Sequence, residues 1–284
     1  MGTRLRLYLE LVRFEHTLFA LPFAYVGVML ASRGRFDGAV WLWVTVAMVG
    51  ARTAAMALNR LIDWRIDAAN PRTAGRHLPR GLVRPGETLA LALAGFALLA
   101  WSAYNLNALT ARLLPVAVIF LTGYSYTKRF TWTCHFWLGL TIGAAAAGGW
   151  IAQTGAFEPA TYALWAAVAL WIAGFDILYA TQDVEFDRAH GVHALPARFG
   201  VRTALQVSRA LHVLTWLLFI VTGRLAGAGP WYYLGVLLVG LVLVYEHRLV
   251  RPDDLSRVNQ AFFEANVVIS LSMFFFTLLD VLTR

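Results

Sequence analysis

Apolar residues in this 284-residue chain come in long runs, not in short alternations. Runs of about 17 to 25 residues recur near 14–31, 39–62, 88–106, 109–127, 133–152, 159–178, 203–222, 229–245 and 261–280. About 20 residues of α-helix rise roughly 30 Å, the thickness of a bilayer's hydrocarbon core. Each run therefore predicts a membrane-spanning helix. Gly34, Pro85–Gly86, Pro159 and Gly229–Pro230 mark breaks between runs. A short amphipathic stretch precedes the first run, and no small-residue cleavage site follows it, so the first helix is expected to be retained. The pattern predicts an all-α polytopic membrane bundle of about nine transmembrane helices. No polar linker divides it, so residues 1–284 are expected to form a single domain.

Composition supports this reading: 59% of residues are hydrophobic and 14% charged, against about 25% charged in a soluble domain. The net charge of +8 would suggest nucleic acid in a soluble protein. Here its distribution gives another cause. With a cytoplasmic N-terminus, 18 of the 24 Lys and Arg residues fall in the N-terminal arm and the loops after the second, fourth, sixth and eighth spans. That asymmetry predicts an N-in, C-out protein of the cell (inner) membrane, and no nucleic-acid partner is expected. The single cysteine, Cys134, allows no intramolecular disulfide and no CxxC metal site.

Against this apolar background stand two acidic repeats, Asn59-x3-Asp63-x3-Asp67 and Tyr179-x3-Asp183-x3-Asp187, the second with Asp176 one turn earlier. Residues four apart share a helix face, so each repeat concentrates negative charge. Arg52, Asn59, Asp63 and Asp67 fall on one stripe of the second span, and Asp176, Tyr179, Asp183 and Asp187 on one stripe of the sixth. A charge at the bilayer centre costs roughly 2.5–3.5 kcal/mol on insertion scales, so these stripes should line a polar cavity. A buried Arg–Asp pair that locks helices together would give the same pattern.

Oxygen-only clusters suit hard cations. Mg²⁺ is usually held by one or two carboxylates plus substrate phosphates, so two such clusters suit a Mg²⁺-bridged diphosphate. Glu185 lies off the stripe and would reach a metal only if the helix unwinds. Arg72 and Arg76 follow the first repeat, and Lys128 and Arg129 follow the fourth span. Arg offers a bidentate fork to phosphate and Lys a point charge, so these four are candidate diphosphate ligands. Arg80 and Arg84 read as topogenic charge. The seven histidines form no ligand pattern, although His190 and His193 lie near the second repeat. Both repeats should lie on the cytoplasmic side, where the segments after them, about 67–87 and 187–202, are the longest loops and candidate lids. A cation-coupled transporter also carries intramembrane aspartates, but it predicts midplane charges and broken helices. Here the charge gathers toward one face, beside Arg and Lys.

The run from Asn59 to Arg76 resembles the first signature of the UbiA superfamily of intramembrane prenyltransferases, and Asp176 to Asp187 resembles its second. Tyr124-Ser-Tyr-Thr-Lys128-Arg129 is similar to the family's segment after the fourth helix, and Gly139 and Gly148–Gly149 also fit. The Arg-Thr-x2-Arg tail resembles the 4-hydroxybenzoate polyprenyltransferase branch. Asn59–Arg60 replaces the usual Asn-Asp, and Glu185–Phe186 stands where acidic pairs are common. Both resemble the futalosine/menaquinone branch, whose acceptor is a dihydroxynaphthoate. The resemblance implies Mg²⁺-dependent transfer of a polyprenyl group from a polyprenyl diphosphate to an aromatic acid, in ubiquinone or menaquinone synthesis. Haem or chlorophyllide as acceptor is the alternative within the superfamily. It implies metal at Asp63, Asp67, Asp183 and Asp187, with Asn59 and Glu185 as further candidates. Asn59 and Tyr179 would orient metal or diphosphate, Arg72, Arg76, Lys128 and Arg129 would bind the diphosphate, and Arg52 and Asp176 the acceptor. The isoprenoid tail would lie in lipid.

Overall fold

The structure, a computed structural model, describes residues 2–13 and 17–284. Among the described residues, thirteen α-helices follow one another: α1 (Gly2–Leu11), α2 (Thr17–Ser32), α3 (Gly38–Ala69), α4 (Pro85–Leu106), α5 (Ala108–Thr127), α6 (Cys134–Thr154), α7 (Pro159–Ala180), α8 (Val184–Ala189), α9 (Leu195–Phe199), α10 (Val201–Ala226), α11 (Pro230–Leu249), α12 (Val258–Gln260) and α13 (Asn266–Thr283). A 3₁₀ turn joins α7 to α8, and a π-helical turn joins α12 to α13. Among the described residues, eight helical segments are long and apolar enough to cross a membrane, and α2 adds a shorter apolar helix, Ala20–Ser32. The protein is a multi-pass membrane protein, as the nine apolar runs predict. The largest difference lies in α3. It runs 32 residues to Ala69 and carries the whole first acidic repeat as helix. Pro85, Pro159 and Pro230 each take the first position of a helix, where proline's missing N–H would have had no intrahelical partner.

The chain divides into two compact units, Met1–Thr17 with Leu42–Tyr126, and Leu18–Trp41 with Thr127–Arg284. In the first, Leu11 and Val12 bury against Val83. Arg4 pairs with Glu87 at 2.7 Å, and His77 Nε2 lies 3.2 Å from Glu10 Oε2. Hydrogen bonds from Arg6 and then His77 hold the Glu10 carboxyl below its ordinary range. The amphipathic arm is thus a helix tied to the segment after α3.

In the second unit α7 packs between α6 and α10, and α11 packs on α10 and α13. Trp171, Phe23 and Phe219 form its aromatic centre, with Phe23 4.9 Å from Trp171 and 5.7 Å from Phe219 between ring centroids. Asp280 of α13 is fully buried and accepts the N–H of Gly229 at 2.9 Å, so a carboxylate stabilises the positive end of α11. Leu93, Trp101, Tyr104, Ile119 and Leu241 are more than half exposed, as side chains facing lipid would be.

Lipid tails are as apolar as leucine, so packing between such helices depends on close backbone approach. Gly139 and Gly149 of α6 supply it. A Cβ at Gly149 would fall on the Ala24 carbonyl of α2, and one at Gly139 on the Ala169 carbonyl of α7. Gly148 faces open space. Gly149→Ala is expected to cost about 1–3 kcal/mol by overpacking. Gly148→Ala should change stability by no more than about 1 kcal/mol, in the favourable direction. Thermal unfolding in detergent checks the pair, and equal midpoints would refute the tight crossing.

Candidate active site

The first repeat sits on the last three turns of α3. The helix's buried stripe runs through Ala54, Ala57, Arg60, Asp63 and Asp67, with Asp63 1% and Asp67 4% exposed. Burying a carboxylate is costly unless it is paired and hydrogen-bonded, and both are compensated. The Asn59 amide donates to Asp63 Oδ2 at 2.8 Å and to Ser125 Oγ of α5 at 3.1 Å. Arg76 Nη1 reaches both Asp67 oxygens, at 2.6 and 2.7 Å. Arg60 Nη1 stands 3.8 Å from Asp67 Oδ2. Thr73 Oγ1 donates to the Asp67 carbonyl at 2.9 Å and fixes the chain where the helix ends. Asn70 Oδ1 accepts the Arg72 N–H at 2.9 Å, an Asx turn that starts the loop carrying Arg76 back.

Arg76, a candidate diphosphate ligand, is therefore engaged with a candidate metal ligand, while the Arg72 side chain is exposed. Arg52 donates to the Arg13 carbonyl at 3.1 Å and also stands in electrostatic reach of Tyr124, as do Arg60 and Asp63. Arg60, which is not among the candidate residues of the sequence, is 7% exposed and faces Asp67. Its spacing of three to Asp63 and seven to Asp67 was the available signal. Ser125 and Thr73 carried no such signal.

The second repeat does not continue α7 as a regular helix. The chain tightens into a 3₁₀ turn at Thr181–Asp183 before α8 begins at Val184. Such a turn inside a long helix advances the side chains by an extra fraction of a turn and often marks a functional site. It leaves Asp187 7% exposed, Asp183 half-buried and Glu185 exposed. The helix tightens where unwinding would have been needed to bring Glu185 inward. Tyr179 packs on Phe262, 4.4 Å between centroids.

Asp176 is held by a histidine. His135 of α6 accepts the Leu195 N–H at Nε2 (3.2 Å), so its proton sits on Nδ1, which donates to Asp176 Oδ2 at 2.7 Å. His135 is 3% exposed and ties α6, α7 and α9 together. The loop after the repeat is pinned further. His193 N–H donates to the Lys128 carbonyl at 2.7 Å, Cys134 Sγ to the His193 carbonyl at 3.2 Å, and Arg188 Nε to the Ala197 carbonyl at 2.7 Å. Lys128 and Arg129, both half-buried, thus share a neighbourhood with the segment following the second repeat. His190 and His193 are both exposed at the surface of this loop, with ring contacts to the Phe186 and Gly191 carbonyls.

Comparison with known proteins agrees with the fold and the family resemblance. Residues 20–278 match the UbiA prenyltransferase family. The 4-hydroxybenzoate octaprenyltransferase of Aeromonas salmonicida is 31% identical over 266 residues, covering 91% of this chain and 90% of that protein. That of Herminiimonas arsenicoxydans is 30% identical over 288 residues, 99% of each chain. Among solved structures, the apo UbiA homolog from Aeropyrum pernix K1 superposes with a TM-score of 0.86 at 35% identity, covering 94% of this chain and 98% of that one. A UbiA homolog from Archaeoglobus fulgidus bound to GPP and Mg²⁺ shares the fold, with a TM-score of 0.74 at 19% identity over 98% and 100% of the two chains. The chain belongs to the UbiA prenyltransferase family and is a membrane-embedded prenyltransferase.

Proposed function

We propose that this chain transfers a polyprenyl group from a polyprenyl diphosphate to 4-hydroxybenzoate, with Mg²⁺, in ubiquinone synthesis. Relatives about 30% identical over nine-tenths or more of both chains are 4-hydroxybenzoate octaprenyltransferases, and this similarity carries the choice of acceptor. The whole chain acts as one transferase domain in the inner membrane, with a cytoplasmic N-terminus and diphosphate binding at the cytoplasmic face.

The donor set supports Mg²⁺. Asp63 and Asp187 are buried carboxylates, Asp183 is half-buried, and the Asn59 amide orients Asp63. Only oxygen is offered, as a hard cation requires. Asp63, Asp67, Asp183 and Asp187 would hold the ion, which supplies charge neutralisation of the leaving diphosphate. Arg72, Arg76, Lys128 and Arg129 neutralise diphosphate oxygens. Arg76 moves from Asp67 to do so, and Arg60 remains with the carboxylate. The donor's C–O bond breaks, the bonding pair leaves with the diphosphate, and an allylic cation remains. The electron-rich ring forms the new C–C bond and loses a proton. Buried donors and cations favour this charge separation because they need little reorganisation. Arg52 and Asp176 orient the acceptor, and His135 fixes the position of Asp176. Tyr179 is held on Phe262, where it orients the diphosphate.

Membranes containing the protein, given Mg²⁺, a polyprenyl diphosphate and 4-hydroxybenzoate, are expected to form prenylated 4-hydroxybenzoate. EDTA should stop the reaction and added Mg²⁺ restore it. Product only with a dihydroxynaphthoate would move the assignment to menaquinone synthesis, and none with any phenolic acid would sink both.

Asp63→Ala and Asp183→Ala should each lower kcat by at least the ~10²–10³-fold that losing one electrostatic stabiliser costs. Wild-type turnover in either variant would refute its metal role. Arg52→Ala should raise the acceptor KM about tenfold, the loss of one charge-assisted hydrogen bond, with the donor KM unchanged. An unaltered acceptor KM would remove Arg52 from the acceptor site.

A further inference from the structure

A second polar cluster lies in the Leu18–Trp41 and Thr127–Arg284 unit, outside both aspartate repeats. His212 of α10 and Glu246 of α11 are 2% and 0% exposed, and His247 is half-buried beside them. Their ligand atoms all lie within 4.8 Å of one another. His212 Nδ1 is 2.9 Å from His247 Nε2 and 3.4 Å from Glu246 Oε2.

Two features set this cluster apart from an ordinary buried pair. First, His212 Nε2 lies 3.2 Å from the Trp171 carbonyl. A carbonyl can only accept, so the proton is on Nε2 and the Nδ1 lone pair points at Glu246 and His247. Metal-binding histidines commonly take this arrangement, the far N–H donated to a backbone carbonyl that fixes ring and tautomer. Second, neither carboxylate oxygen of Glu246 receives a hydrogen bond. A fully buried carboxylate without hydrogen bonds is costly, and a bound cation would compensate it. The ring's place is also made by the backbone. Gly174 of α7 faces His212 so closely that a Cβ would overlap the imidazole edge.

We propose that His212, Glu246 and His247 form a binding site for a zinc-class divalent ion, separate from the Mg²⁺ site and structural in role. The dimensions suit one. Ligands at Zn–N and Zn–O lengths of about 2.0–2.1 Å in a tetrahedron stand roughly 3.3 Å apart. The two separations from His212, 2.9 and 3.4 Å, bracket that value, and the third, between Glu246 and His247, is no more than 4.8 Å. The imidazole nitrogens select Zn²⁺ or Co²⁺ over Mg²⁺, which prefers oxygen. Binding needs Glu246 ionised, so any proton on its carboxyl leaves as metal enters, and it needs His247 neutral with its proton on Nδ1 and its Nε2 lone pair free. The ion would link α10 to α11 directly, and to α7 through the Trp171 carbonyl. His247, two residues from the end of α11, gives access from outside.

The full-length protein in nanodiscs, stripped with chelator, is titrated with Zn²⁺ against a fluorescent zinc indicator in excess Mg²⁺. One tight Zn²⁺ per chain is expected, with a raised thermal midpoint. Glu246→Gln and His247→Gln, both close in shape to the originals, should each weaken binding by at least the ~10–100-fold that losing an outer partner of a metal ligand costs. Both should abolish the thermal shift, while Asp63→Asn with Asp183→Asn keeps them. Absence of tight Zn²⁺ in the wild type overturns the site. So does unchanged binding in both variants, or binding lost with the aspartates and kept without Glu246. If one glutamine variant fails to fold, the other carries the comparison.

Discussion

Two carboxylates buried on one membrane helix constrain the arrangement around α3. Asp63 and Asp67 are almost wholly removed from solvent, and such charges persist only where neighbours compensate them. The compensation is local for Asp63, through Asn59 one turn earlier. For Asp67 it comes from a distance along the chain, since Arg76 must return nine residues to reach it. That return shapes the segment after α3. An Asx turn at Asn70 and the Thr73 hydroxyl on the Asp67 carbonyl start the reversal. Leu78 and Val83 are then buried beyond Arg76. The N-terminal helix packs on Val83 and meets His77. The arm, the loop and the acidic turns are thus one linked structure.

The second repeat solves a similar problem by other means. Asp187 is buried and Asp183 half-buried because the helix tightens between Tyr179 and Val184. The loop beyond is held by backbone groups, with Lys128, Cys134 and His135 contributing partners. A candidate lid is therefore an ordered strap in which His135 both positions Asp176 and receives Leu195.

Much of this was legible in the sequence. The nine apolar runs gave the spanning helices, because hydrocarbon thickness fixes helix length and leaves few alternatives. The four-residue spacing gave the Asn59–Asp63 contact, which needs only helix geometry. Arg60 stood outside the candidate set because one arginine can serve topology and pairing together, and its place near a loop explains the charge by topology alone. Arg76 on Asp67 depends on the course of a loop, and no periodicity encodes that. The 3₁₀ turn was hidden for a related reason. It shifts helical phase without breaking hydrophobicity, so the predicted stripe through Asp187 looked continuous. His135 was invisible because its partners, Asp176 and the Leu195 N–H, lie 41 and 60 residues away.

Charge balance connects these details to the chemistry proposed for the chain. Asp67 meets two guanidinium groups, Arg60 and Arg76, and Asp63 lies one turn earlier on the same stripe, so these two carboxylates and two guanidinium groups sum to no formal charge. A divalent ion entering alone would leave two uncompensated positive charges in a poorly solvated place. A diphosphate entering alone would face two buried carboxylates. Entering together, the ion would satisfy the carboxylates while the diphosphate would receive Arg76. In the reaction proposed, the Arg76–Asp67 pair would be the stand-in, holding the acidic turns together until Asp67 turned to the metal and Arg76 to the diphosphate. The same two guanidinium groups compensate the burial of Asp67 in a membrane helix.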